Sequence, residues 1–340
     1  MLRLPRFELR QPTSVAEAAR MLADLGPDAL VLAGGTDLLP NMKHELFTPA
    51  VVVSLGRIDA LRGIRAEADG SLRIGAMTTI ADVAHSPIVA ERAPCLAQAA
   101  GLIAGPQLRR AGTIGGNVLL DTRCQYYNQS YFWRSALGYC LKKDGTVCHV
   151  VAGASRCVAA AAADTAPALM TLCATLEFER AAGQRAVAID DFWVADGISN
   201  RRILPGEILV SIRIPPTPPG HRGAYGKLRE RGSIDFPLLG VAARLDIDAG
   251  GLVERADLVL TALAARPRRV SEASTRLCGT QPGTPGFDMA VQAVAESARR
   301  HCHTLSNLLG DTAWRQDMIP VYVKRTLQAA AAGGGPVHHL

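Results

Sequence analysis

No apolar run in this chain of 340 residues approaches the roughly 18–20 residues of a membrane-crossing helix, so none is expected. The first residues, Met1 to Phe7, lack the long apolar region and small-residue cleavage site of an export signal, which points to a cytoplasmic protein. Basic residues outnumber acidic ones, giving a net charge of +6, yet no block of five or more basic residues exists. Arginine pairs at 109–110, 201–202, 268–269 and 299–300 are dispersed, as on a solvated surface or one that docks an acidic partner subunit. A concentrated nucleic-acid-binding face is therefore excluded. Also missing are the G-x-G-x-x-G of a Rossmann dinucleotide fold and the G-x-x-x-x-G-K-[ST] of a common NTPase. Aromatics are scarce, sixteen in all, and no internal repeat is visible.

The chain does have the length for two domains, and 48% of its residues are apolar, as in a globular protein. Its eight cysteines are unevenly spread. Cys124, Cys140, Cys148 and Cys157 fall within 34 residues, whereas Cys95, Cys173, Cys278 and Cys302 stand singly. Six of the sixteen aromatics share the crowded stretch: Tyr126, Tyr127, Tyr131, Phe132, Trp133 and Tyr139. Without an export signal, clustered thiols indicate a metal site before disulfides. An aromatic surround that keeps water from the sulfurs suits a redox cluster. Four-cysteine zinc sites usually draw ligands in C-x2–4-C pairs, and the spacing here, C-x15-C-x7-C-x8-C, contains none. An iron–sulfur cluster is the leading expectation and zinc the alternative. His149, beside Cys148, reads as a bystander.

Ser14-Val-Ala-Glu17 has the form of a capping box, and Val15, Ala18, Met21, Leu22 and Leu25 lie on one face of the helix it opens. Gly26-Pro27 stops that helix. Strands are expected at 29–33, 51–55 and 72–75, and Thr79 to Asp82 opens a second helix. Residues 208–214 alternate like a half-buried strand, and 215–220, with four prolines and a glycine, ends it and marks a domain boundary. Further strands are expected around 224–229, 238–247 and 256–264, with helices near 287–301 and 314–331.

Two glycine loops suit a phosphate-bearing cofactor. Val31, Leu32, Ala33, Gly34, Gly35, Thr36, Asp37 and Leu38 follow a buried strand, and paired glycines let successive N–H groups face an anion. Thr113, Ile114, Gly115, Gly116 and Asn117 repeat the device. Taken singly, such turns are more often structural.

In order and spacing, A-G-G-T-D-L at 33–38, I-G-A at 74–76, G-T-I-G-G-N at 112–117 and A-D-T-A-P-A-L at 163–169 resemble the flavoprotein subunit of the xanthine dehydrogenase family of molybdenum enzymes. The resemblance covers nearly the whole chain. It implies an α+β fold, with a two-part FAD-binding domain of the molybdenum hydroxylase (PCMH-like) type over 1–218. A smaller C-terminal α+β domain would occupy 221–331, with a flexible tail at 332–340. It also places the FAD pyrophosphate on the 31–38 loop, with the 113–117 segment closing from the other side and Ile103 near the flavin ring. Asp164 would bond the adenosine portion, and Lys227 would approach the isoalloxazine and stabilise negative charge on the reduced flavin. Without the resemblance, Asp164 reads as a surface carboxylate and Lys227 as a solvated amine.

Most relatives pass quickly from the second glycine loop to the Asp164 region, whereas here about 40 residues (the insert, about 122–158) carry all four clustered cysteines. That insert resembles one branch, the 4-hydroxybenzoyl-CoA reductases, in which it binds a [4Fe–4S] cluster. The resemblance assigns Cys124, Cys140, Cys148 and Cys157 as ligands, with Gln125 near either cofactor. It implies a heterotrimer with a small [2Fe–2S] subunit and a large molybdopterin subunit, itself dimerised, and reduced ferredoxin as the electron donor. No catalytic residue for the substrate is expected in this chain. The alternatives are an oxidative relative passing electrons outward, and a non-catalytic assembly subunit with a zinc-stabilised loop.

Overall fold

The computed structural model describes residues 3–334 and 337. Three sheets follow one another along the chain. The first is parallel, of β1 (Glu8–Arg10), β2 (Ala29–Leu32) and β3 (Val51–Ser54), with β3 in the centre. The sequence of β3, Val-Val-Val-Ser, is buried on both faces, as a central parallel strand should be. Helix Val15–Leu25 packs its Ala18, Ala19 and Leu22 against this sheet. Its cap differs slightly from the expected box. The Glu17 N–H donates to Ser14 Oγ at 3.2 Å, but the Glu17 carboxylate accepts from the Thr13 N–H at 2.8 Å rather than from Ser14.

The second sheet is antiparallel, of β4 (Ile64–Ala66), β5 (Leu72–Gly75), β6 (Thr175–Arg180), β7 (Gly183–Ala188) and β8 (Ile208–Ile214), in the order β4-β5-β8-β6-β7. The chain thus leaves after β5 and returns only at β6. Helices Ile80–His85, Pro87–Arg92, Pro94–Gly101, Pro106–Ala111 and Ile114–Val118, the cysteine insert and helix Thr165–Thr171 fill that excursion. Three of these helices begin on a proline, whose fixed φ and missing N–H suit a first turn. Pro87, Pro94 and Pro106 are thus local start signals for these helices.

The third sheet is antiparallel, with order β12-β11-β10-β9, built from β9 (His221–Leu228), β10 (Leu239–Ile247), β11 (Val253–Thr261) and β12 (Arg268–Arg269). Helices Pro285–His301 and Thr312–Ala331 cover one face, contributing Phe287, Val291, Ile319, Tyr322 and Leu327 to its core. Helices Pro94–Gly101 and Thr165–Thr171 contact β9 and β10, so β10 is buried along nearly its whole length. Residues 215–220 carry no helix or strand before β9, as four prolines in six residues require. Of the tail expected from 332, residues 332–334 form a turn and a bend and Val337 is buried in the core of this sheet. Residues 335, 336 and 338–340 lie outside the described residues. Among the described residues, no helix is long and apolar enough to cross a membrane.

Candidate functional site

A cleft of about 1010 Å³ runs between the first sheet, the excursion helices and the third sheet. It sits at the upper end of small-molecule sites and suits an extended ligand such as a dinucleotide. Val31, Ala33, Gly34, Gly35, Thr36, Asp37 and Leu38 line one side, and Thr113, Gly115, Gly116 and Asn117 line the other, with Ile103, Gln125 and Asp164 between. Leu32 and Ile114, also expected at the site, are not on its wall. Ile114 is fully buried beneath it.

The glycines are there because other parts of the chain press against both loops. A Cβ on Gly34 would collide with the carbonyl of Ala111, and one on Gly115 would sit 2.8 Å from Ala76 Cβ. Gly35 has φ +73°, a conformation costly for other residues. Thr113 caps the short helix behind the second loop, its Oγ1 accepting from the Gly116 N–H at 3.1 Å. Asn117 Oδ1 accepts from both the N–H (3.2 Å) and the hydroxyl (2.6 Å) of Thr165, tying the second loop to the Asp164 turn.

Asp164 is neither a surface carboxylate nor free. It is 2% exposed, and it accepts from Tyr225 Oη at 2.9 Å and Lys227 Nζ at 3.2–3.3 Å. Burial pushes its carboxyl above the usual carboxylate range, against the pull of Lys227 and Tyr225. Lys227 is fully buried. Its ammonium donates to Asp164 and to the carbonyls of Leu102 and Asp235. Lys227 therefore does not line the cleft. Where the resemblance implies an approach to a flavin ring, the ammonium pairs with two carboxylates of the cleft wall, Asp164 and Asp235.

The four clustered cysteines come together. Cys124, Cys140, Cys148 and Cys157 line one small cavity of about 20 Å³, with Tyr126, Tyr127, Leu141, Lys142, His149, Val150, Val158 and Ala159. All four are free thiols. Burial pushes the Cys124 thiol up to about 11 and also raises Cys157. Cys157 Sγ accepts from the Ala159 N–H at 3.4 Å, and a Cβ on Gly197 would meet that sulfur at 2.8 Å. Tyr139 (φ +61°) and Asp144 (φ +65°) bend the loop sharply on either side of Cys140. Lys142 is buried, bonded to Asp121, Thr122 and the Gly197 carbonyl at 2.6–2.8 Å. His149 Nε2 lies 2.6 Å from the Tyr139 carbonyl, so that nitrogen is committed away from the thiols. Among the described residues no group of three or more His, Cys, Asp or Glu is arranged to hold a metal ion, so the thiols are neighbours around a cavity rather than closed on one ion.

The aromatic surround is only partly as expected. Tyr127 is buried and Tyr126 lines the thiol cavity, but Phe132 is 82% exposed and Tyr131, Trp133 and Leu137 also reach solvent from helix Tyr131–Leu137. That helix buries Arg134 instead, which bonds Asp144 and the Glu45 carbonyl. Composition alone could not assign these rings to the inner side of the loop.

The residue reading also missed three arginines. Arg123, buried, and Arg201, half-buried, both lie on the cleft wall, and loss of water around them lowers both, Arg123 to about 10. Arg123 pairs with Asp37 of the first glycine loop, and Arg201 donates to the Leu119 carbonyl. Arg315, fully buried, donates to the carbonyls of Leu238, Ala262 and Leu305 and so roots the 304–311 loop. Asn307 on that loop accepts at its carbonyl from the Gln125 N–H, and its side chain donates to Val158 O. Gln125 Nε2 donates to Ser306 O at 2.6 Å. Adjacency to Cys124 was the sequence signal for Arg123.

Comparison with known proteins follows this geometry. Residues 5–217 match the FAD binding domain in molybdopterin dehydrogenase, and 224–330 match the CO dehydrogenase flavoprotein C-terminal domain. The chain is 34% identical over 330 residues to the carbon monoxide dehydrogenase medium chain of Hydrogenophaga pseudoflava, covering 96% of this chain and 98% of that one. It is 30% identical to a putative xanthine dehydrogenase FAD-binding subunit of Escherichia coli K12, covering 95% of each. Among solved structures, a chain of carbon monoxide dehydrogenase from H. pseudoflava superposes with a TM-score of 0.78 at 33% identity, covering 97% of this chain and 99% of that one. The glycine-lined cleft and these matches agree: the chain belongs to the FAD-binding subunits of the xanthine dehydrogenase and CO dehydrogenase family of molybdenum hydroxylases.

Proposed function

We propose that this chain adds an iron–sulfur centre, a [4Fe–4S] cluster on Cys124, Cys140, Cys148 and Cys157, to the FAD of its family, and that it serves a 4-hydroxybenzoyl-CoA reductase. The observation that carries this reading is the convergence of the insert's four thiols on one cavity, with Cys124 also lining the flavin cleft. The donor set fits. It is all sulfur, and backbone N–H groups reach Cys124 and Cys157, as suits cluster-bound thiolates. A cubane needs more room than the cavity offers, and metal sites commonly form only with their metal. The wall able to give way is the 138–156 loop, which carries Cys140 and Cys148 and contains no helix or strand.

Together the two groups would convert between one- and two-electron chemistry. The chain's own work is to hold them side by side. The glycine loops grip the FAD pyrophosphate, with Asp164 beside the adenosine portion, while Lys227 stabilises the carboxylates of the cleft wall. Cys124 belongs to both walls, and Tyr127 and Lys142 shield the sulfurs from water. On this reading a small [2Fe–2S] subunit and a large molybdopterin subunit complete the complex, and reduced ferredoxin supplies electrons for reductive dehydroxylation to benzoyl-CoA. The names of the relatives, carbon monoxide and xanthine dehydrogenases, favour a second reading: the FAD subunit of an oxidative hydroxylase, with electrons leaving through the flavin.

Iron, zinc and FAD content of anaerobically purified protein, wild type against Cys140→Ser, tests the proposal. About four irons and one FAD per chain, with iron lost in the variant, is the expected result. FAD with no iron, or with a single zinc, would leave the flavoprotein and remove the reductive branch in favour of the oxidative reading.

A further inference from the structure

The tripeptide Arg123-Cys124-Gln125 is where the insert meets everything around the cleft. The Arg123 N–H donates to the Ala160 carbonyl at 2.7 Å, and the Ala160 N–H returns to Arg123 O at 2.8 Å, pinching together the two ends of the insert. The Arg123 side chain is 8% exposed. Its guanidinium pairs with Asp37 on the phosphate loop and lies 4.3 Å from the centroid of the Phe236 ring on the third-sheet side. Its Nε has no partner. The other arginines of the cleft wall are spent differently: Arg201 donates to Leu119 O, and Arg231 to the carbonyls of Ser233 and Ile234.

Asp37 needs that partner. An unpaired carboxylate on a loop that grips a pyrophosphate repels it, and in a partly buried site the repulsion is only weakly screened. Arg123 is also the residue before Cys124, so whatever orders the insert around the thiols also fixes the backbone from which the guanidinium reaches Asp37.

We propose that Arg123 is a positioning residue that couples the two sites, so that FAD binding on the 31–38 loop and filling of the four-cysteine centre each favour the other. The coupling rests on the reading that the cysteines hold a cluster, and by linkage it must be reciprocal. Disordering the insert frees Arg123 from Ala160 and weakens its hold on Asp37. Removing Arg123 cuts the path altogether.

The test is a double-mutant cycle on the full chain, stripped of flavin and titrated with FAD by fluorescence, with iron assayed separately. The four proteins are wild type, Arg123→Gln, Cys148→Ser and the double variant. Cys148, half-exposed, is the mildest cysteine to replace. In the wild-type background Cys148→Ser should weaken FAD binding about fivefold or more, and in the Arg123→Gln background by less than about twofold. Arg123→Lys, which keeps the charge, should restore part of the coupling. Equal losses in both backgrounds overturn the proposal with the cluster intact. Absence of iron from the wild type overturns the cluster reading and the coupling with it. Should Arg123→Gln not fold, Asp37→Asn removes the same ion pair from its half-exposed side and closes the same cycle.

Discussion

Single atoms decide whether the flavin loops can meet. Gly34 lies against the Ala111 carbonyl so closely that a methyl group must displace backbone. Gly34→Ala should therefore cost about 1–3 kcal/mol in stability and lower the FAD retained on purification, read by thermal unfolding and by the 450 nm absorbance. Gly26 has φ +58° and open space around it, and there alanine meets only backbone strain. A second residue-scale effect is a pH dependence. Burial works against the charge of Asp246, but hydrogen bonds from His221 (2.8 Å) and Arg244 (2.6–3.0 Å) prevail and hold its carboxyl below 3.8. A depressed folded value stabilises the protein above pH 3.8 and ceases to do so as pH falls through the folded value. Asp246→Asn should lower the melting temperature at pH 7, and the gap from wild type should close below pH 3.8. A gap that persists there would show that the loss is one of packing.

At the scale of elements, the cysteine loop is held less by its own helix than by a loop far along the chain. Arg315 donates to three carbonyls, one of them Leu305, and residues 306 and 307 then bond Gln125 and Val158, next to two of the cysteines. Arg315→Met leaves those buried carbonyls without a donor and should destabilise the protein by roughly 2–4 kcal/mol. Hydrogen exchange should quicken in residues 304–311 and in the insert, but not in the first sheet. Uniform quickening would show that Arg315 serves the whole core. Much at this scale is legible in the sequence: the Ser14-capped helix, the strands at 29–32, 51–54 and 208–214, and the proline stop at 215–219 all follow from local chemistry. The β6–β7 hairpin and the three proline-started helices did not enter the residue reading. Each is short, and its apolar positions make sense only against partners distant in sequence.

For the whole molecule, the matched segments 5–217 and 224–330 do not stand apart as separate cores. Tyr225, Ala242 and Val259 of the third sheet belong to the core centred on the second, and Cys95 donates to the Ala224 carbonyl between them at 3.1 Å. The face of β9 and β10 lies under helices Pro94–Gly101 and Thr165–Thr171. Residues 219–340 produced alone should therefore expose that face and aggregate, whereas co-expression with 1–218 should restore a soluble complex. Monomeric, cooperatively folding 219–340 would show that the face tolerates water. The cleft has the same origin, since its walls come from β2, β8, the excursion helices and the loop between β9 and β10.

The sequence by itself determined the local devices: the paired glycines that admit close backbone approach, the caps and prolines that begin and end helices, and the grouping of four cysteines in one insert. These depend on neighbours along the chain, where a side chain's identity and its φ and ψ range suffice. Only tertiary structure decided that Asp164 faces a buried lysine and that Phe132 and Trp133 face solvent. It also decided that Arg123 stands between the phosphate loop and the thiols. Those outcomes turn on which groups lose water together, and that depends on contacts between residues as far apart as Asp164 and Lys227, or Asp37 and Arg123.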